Sequence, residues 1–192
     1  MDNLIIIIAV EAIIGISLGL TLTIWFSAAS MAGNQMATAA GLGFSSLVNP
    51  ETGGQTPVIS IVLDLFLLTI FVSLNGHLIA IDFIIKSNEI LQLGSRLPGV
   101  ALIGAGIEAA GAMFYAAGLI MLPVVGTLMI VNVAVGVITK SAPQLNLFSF
   151  GFPVILLVTF FVLFSASRSI GGAFAELTNN ALSTLENVLG AM

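Results

Sequence analysis

Four apolar runs, separated by polar stretches rich in Gly, Asn and Pro, set the pattern of this chain. The first, from about Leu4 to Met31, is long enough to cross a bilayer as a helix. Gly15 and Gly19 lie four apart on one face of it with Ser17 nearby, a spacing that lets a second helix approach closely. Ordinary packing within the chain accounts for that spacing more simply than a dedicated dimer motif. Glu11, inside the same run, must find a partner or water. From Ala32 to Thr56 the residues turn small and polar, through Gly33-Asn34-Gln35, Gly41-Leu42-Gly43-Phe44-Ser45-Ser46 and Asn49-Pro50-Glu51-Thr52-Gly53-Gly54. Asn-Pro and Gly-Gly mark turns, so this segment predicts a loop or a broken helix.

The second run, Pro57 to about Lys86, would extend about 45 Å as a helix, against a hydrocarbon core of about 30 Å. On one ideal helix Asp64 and Asp82 align, and Asn75 and Glu89 fall within about 20° of them. That stripe predicts a polar channel wall or an inter-subunit face, and more weakly a proton path, with plain helix-to-helix hydrogen bonds as the simpler alternative. Asn75-Gly76 is a turn dipeptide capable of breaking the helix and the alignment. A polar connector, Lys86 to Pro98, carries Glu89 and Arg96.

The third run, Gly99 to Ile138, contains Pro123, which removes a helical hydrogen bond and predicts a kink or an end there. A polar connector from Ser141 to Pro153, carrying Pro143-Gln144-Leu145-Asn146, leads into the fourth run, Val154 to Ala166. Such backbone cannot face lipid unsatisfied, so a helical hairpin closes there in an interface or a polar channel. The tail is amphipathic: Phe174, Leu177, Ala181, Leu182, Leu185, Val188 and Leu189 recur at three- and four-residue steps, with Glu176, Asn179, Asn180, Thr184, Glu186 and Asn187 opposite. The predicted fold is an all-α membrane-type protein of long kinked helices and hairpins, broken by polar loops, with a C-terminal amphipathic helix.

Composition agrees. Of 192 residues 58% are hydrophobic and 7% charged, and the mean hydropathy is +1.19, which leaves too few charges to cover a soluble domain. The net charge of −5, with only Lys86, Arg96, Lys140 and Arg168 as cations, provides no basic patch for nucleic acid. Four cations also leave the membrane orientation open. Without cysteine there are no disulfides and no thiolate chemistry. The start lacks the cationic lead of a signal peptide and reads as a retained helix, opening as if a section preceded it.

Catalytic patterns are weak. Gly104-Ala105-Gly106-Ile107-Glu108-Ala109 imitates a dinucleotide fingerprint but lies in an apolar helix, where Ala105, Ala109, Ala112 and Ala116 form a packing face. His77 is the only imidazole, so a metal site would need ligands scattered over several helices, and a satisfied helix histidine is the simpler reading. Ser141 and Ser149 have no histidine near in sequence. No catalytic residue, metal or cofactor is expected.

Taken in order, Glu11 with Gly15 and Gly19, Gln35 through Gly41-Leu42-Gly43-Phe44 to Asn49-Pro50, Leu74-Asn75-Gly76-His77-Leu78, Leu122-Pro123, and Asn132 leading into Pro143-Gln144-Leu145-Asn146 and Gly151-Phe152-Pro153 resemble the FliR family of flagellar biosynthesis and its type III secretion counterparts. The resemblance implies a non-enzymatic export-gate subunit of the bacterial inner membrane. It would assemble with FliP and FliQ, with FlhB nearby, in a flagellar basal body or secretion apparatus that passes unfolded proteins. It further implies a FliP-like part over 1–98, a FliQ-like hairpin over 99–170 and the tail helix over 171–192, with further apolar helices before Leu4 in full-length members. The loop 33–56, through Gly41, Leu42, Gly43, Phe44, Ser45 and Ser46, would plug the closed channel. The alternative is a small secondary transporter coupling ions through Asp64, His77, Asp82 and Glu108, although no inverted repeat is evident.

Overall fold

Five helices form the architecture of the computed structural model, which describes residues 2–42, 57–90, 99–142 and 150–190. They are α1 (Asp2–Ala39), α2 (Val58–Ser73), α3 (Gly76–Ile90), α4 (Gly99–Ser141) and α5 (Phe152–Gly190). No strand occurs among the described residues, so the fold is all-α, as expected. Three segments are long and apolar enough to span a membrane: Ile7–Ala39, Ile103–Ser141 and Phe152–Asn187. α2 and α3 form a fourth, broken candidate, bent by 67°.

The abundant Ser and Thr residues in these helices are accommodated locally. Ser17, Thr21, Thr23, Ser27 and Thr38 in α1 each donate their hydroxyl proton to the carbonyl four residues back, as do Thr139, Thr159 and Thr178 further along. That bond hides the hydroxyl where lipid offers no partner.

The chain packs as two units. In the first (Met1–Ala28, Leu67–Ala116 and Phe174–Met192), Ile14, Leu18, Phe71, Phe83, Leu182 and Leu185 form the buried core. Phe26 meets Phe71 edge-on, with ring centroids 5.0 Å apart. The tail of α5 buries Phe174, Leu177, Ala181, Leu182 and Leu185 and exposes Glu176, Asn179, Asn180, Glu186 and Asn187, which is the predicted amphipathic pattern. It is not a separate helix, because α5 runs unbroken from Phe152.

In the second unit (Ala29–Phe66 and Ala117–Ala173), the end of α1 packs on the start of α2 through buried Ala29, Ala32, Met36, Ala37 and Ala40 on one side and Ile59, Ser60 and Leu63 on the other. α4 buries Ala117, Ile120, Val124, Leu128 and Val135 at helical spacing.

Four expectations need correction. The polar segment beginning at Ala32 is helix as far as Ala39, because Ala32, Gly33, Met36 and Ala37 are buried and the polar Asn34, Gln35 and Thr38 face outward. Of the kink or end expected at Pro123, the end does not occur: α4 runs through it, with Ile120 and Val124 buried on either side keeping the helix seated. Gly15 and Gly19 are exposed, and a Cβ at either would meet nothing within 4 Å, so ordinary packing within the chain does not explain them. The connector after Lys86 is helical to Ile90, and residues 91–98 lie outside the described part.

Candidate functional site

A polar junction lies in the second unit, where α1 packs on α2. Ser30 uses its hydroxyl differently from its neighbours in α1, donating across to Asp64 on α2 at 2.7 and 2.9 Å from the two carboxylate oxygens. Ser60 returns the tie, its Oγ donating to the Ser30 carbonyl at 3.0 Å. The helices come this close because position 33 is glycine: a Cβ there would overlap the Cα of Ser60. Asp64 is half-buried, and an ionised side chain in such a helix has to be paired or hydrogen-bonded.

Further along, α1 ends in a Schellman motif. Gly41 takes the left-handed conformation (φ 76°), its N–H donates to the Thr38 carbonyl at 3.0 Å, and the N–H of Leu42 donates to Ala37 at 2.9 Å. The Ala39 carbonyl accepts from the Asn132 side-chain amide of α4 at 3.0 Å. Gly41 is therefore the helix stop. Leu42 lines an apolar groove of about 310 Å³ with Val62, Phe66, Phe160 and Phe164. Ser167, the one polar lining residue, donates its hydroxyl to the Phe164 carbonyl.

In the first unit the break between α2 and α3 is built by Asn75 and Gly76. Asn75 adopts φ 57°, donates to the Val72 carbonyl and accepts from the N–H groups of Leu78 and Ile79, so it ends one helix and opens the next. A Cβ on Gly76 would lie 2.5 Å from the Phe71 ring. The break removes the straight helix on which the stripe of Asp64, Asn75 and Asp82 depends, and these residues serve three different ends. Asp82, exposed, pairs with Lys86 at 2.6 Å, one turn on. His77 is not the satisfied histidine expected: its Nδ1, like Nε1 of Trp25, is buried without a hydrogen-bond partner among the described residues.

Of the predicted plug, Gly41 and Leu42 are described; Gly43, Phe44, Ser45 and Ser46 lie outside the described residues, as do Pro143, Gln144, Leu145 and Asn146 of the connector. No group of three His, Asp or Glu residues able to hold a metal occurs among the described residues. Sequence reasoning singled out neither Ser30 nor Ser60, and marked Asn132 only as part of the family resemblance, without a structural role. A lone aspartate in an apolar helix signals that a donor must exist, without saying which residue supplies it.

Comparison with known proteins covers almost the whole chain. The model of the bacterial export proteins, family 1, matches residues 1–181. The flagellar biosynthetic protein FliR of Escherichia coli (strain K12) is 33% identical over 150 residues, which are 77% of this chain and 57% of that protein. FliR of Bacillus subtilis (strain 168) is 28% identical over 184 residues, 93% of this chain and 70% of the relative. The secretion system apparatus protein SsaT of Salmonella typhimurium is 27% identical over 158 residues, 80% and 61% of the two chains. The chain thus spans about 57 to 70% of the length of these curated relatives. With an all-α fold among the described residues and a family match over residues 1–181, the chain belongs to the bacterial export proteins, family 1.

Proposed function

We propose that this protein is a non-enzymatic subunit of a flagellar or type III export gate in the bacterial inner membrane, forming part of the path by which unfolded proteins leave the cytoplasm. The family match over residues 1–181 carries the reading. The fold is compatible with it: the spanning helices expose large apolar side chains, among them Leu157, Phe160, Phe161 and Phe164 on α5 and Met129, Ile130 and Val133 on α4, which need lipid or neighbouring subunits. FliP-, FliQ- and FlhB-type subunits are the partners this reading requires. No nucleic acid, metal or cofactor enters it.

Within such a gate the segment from Gly41 to Ser46 is the plug. The well-fixed end of α1 at Gly41 supports that reading, since a movable seal needs a firm base. The connector Pro143-Gln144-Leu145-Asn146, between α4 and α5, supplies the hairpin tip that faces the pore. Asp82 with Lys86 contributes exposed polar surface to the path, while Asp64 is a tie between helices rather than part of a continuous stripe. Affinity isolation of the tagged chain from its own host's membranes tests the assembly. FliP- and FliQ-type subunits are expected in stoichiometric amount, and their absence from a well-expressed preparation refutes it.

A further inference from the structure

A helix ending inside a membrane protein must have its last carbonyls answered, because each leaves an acceptor that lipid cannot satisfy. At the end of α1 most are answered by the chain's own next turn: Met36 by Ala40 N–H, Ala37 by Leu42 N–H and Thr38 by Gly41 N–H. Ala39 differs, since its carbonyl takes the amide of Asn132, 93 residues later on α4. Asn132 sits within Met129-Ile130-Val131-Asn132-Val133, a run with no other polar side chain, whose Met129, Ile130 and Val133 are exposed. A bare amide there is costly, and this bond gives it a partner while answering the Ala39 carbonyl.

We propose that Asn132 is a latch: it fixes the exit of α1, the turn Ala39–Leu42, against α4, so that a displacement of α4 is felt directly where the chain leaves α1. The functional meaning rests on the plug reading, because the chain beyond Leu42 is the segment assigned to the seal. The latch itself rests only on the Asn132 to Ala39 bond and the Schellman turn beside it. It gives Asn132 a role in positioning that no short-range pattern announces, and it ties the part that resembles FliQ to the part that resembles FliP.

The 192 residues contain no cysteine, so single reporters can be introduced cleanly within them. Leu42→Cys is labelled with a membrane-permeant maleimide in host membranes, alone and combined with Asn132→Leu or Asn132→Gln; Leu78→Cys on α3 is the control. Asn132→Leu is expected to raise the Leu42→Cys labelling rate about five-fold, the factor that corresponds to a net hydrogen bond of about 1 kcal/mol. Asn132→Gln, which keeps the amide, is expected to restore much of the wild-type rate, with Leu78→Cys unchanged throughout. An unchanged Leu42→Cys rate, or an equal rise at Leu78→Cys, overturns the latch. Ion permeability measured in Phe44→Ala tests the plug separately, so failure of one reading is not mistaken for failure of the other.

Discussion

Ser30 and Asp64, on different helices, share one hydroxyl proton between two carboxylate oxygens at 2.7 and 2.9 Å. The Ser60 bond to the Ser30 carbonyl closes the link from the other side. Ser30→Ala is expected to cost about 1 to 3 kcal/mol, because it strips the donor from a half-buried carboxylate. Asp64→Leu in the Ser30→Ala background should recover part of the loss. A double-mutant cycle on the thermal or chemical unfolding of the solubilised protein reads the coupling, and additive effects would show that the bond contributes nothing.

Gly33 and Gly15 predict opposite outcomes for one chemical change. Gly33→Ala drives a methyl into the backbone at Ser60 and is expected to destabilise the α1–α2 junction by about 1 to 3 kcal/mol. Gly15→Ala meets nothing within the chain and should be neutral or stabilising by up to about 1 kcal/mol, through helix propensity alone. The same unfolding measurement on both variants checks the contrast.

At the α2–α3 bend, Asn75→Gly should be tolerated and Asn75→Val should cost about 1 to 2 kcal/mol, since a β-branched residue resists the left-handed conformation. Gly76→Ala is expected to be damaging as well, because its methyl meets the Phe71 ring and carbonyl. Helix content and unfolding midpoint of the three variants test this, and equal stability of Asn75→Val and Asn75→Gly contradicts a bend held by φ 57°.

The plug reading predicts two distinct phenotypes in the assembled gate. Phe44→Ala removes the only large aromatic from a stretch of small residues, and is expected to let ions or a small dye through while assembly persists. Gly43→Val restricts the backbone and should lower secretion without a leak. Wild-type tightness in an assembled Phe44→Ala complex removes this segment from the seal.

How much of this was legible in the sequence depends on the distance over which each feature is determined. The amphipathic tail was readable because Phe174, Leu177, Ala181, Leu182 and Leu185 repeat at the helical period. Asn75-Gly76 carries its turn chemistry in two adjacent residues and breaks the helix as that dipeptide allows. Gly33 misleads for the opposite reason: beside Asn34 and Gln35 it looks like the start of a loop, yet its role is a contact with Ser60 on another helix. Whether Pro123 ends its helix is likewise decided at a distance, because the burial of Ile120 and Val124 that holds the helix together is tertiary. The ties from Ser30 to Asp64 and from Asn132 to Ala39 join residues far apart in sequence and have no local signature.

The central claim is that this chain is a working part of a protein-export gate, and loss of export is its most direct measure. Deleting the gene and assaying the culture medium for proteins exported by the flagellar or type III apparatus should show secretion abolished, while the same proteins still accumulate in the cell. Expression of the whole gene from a plasmid should restore it. Undiminished secretion in the deletion strain, with no second copy of the gene present, would contradict the account.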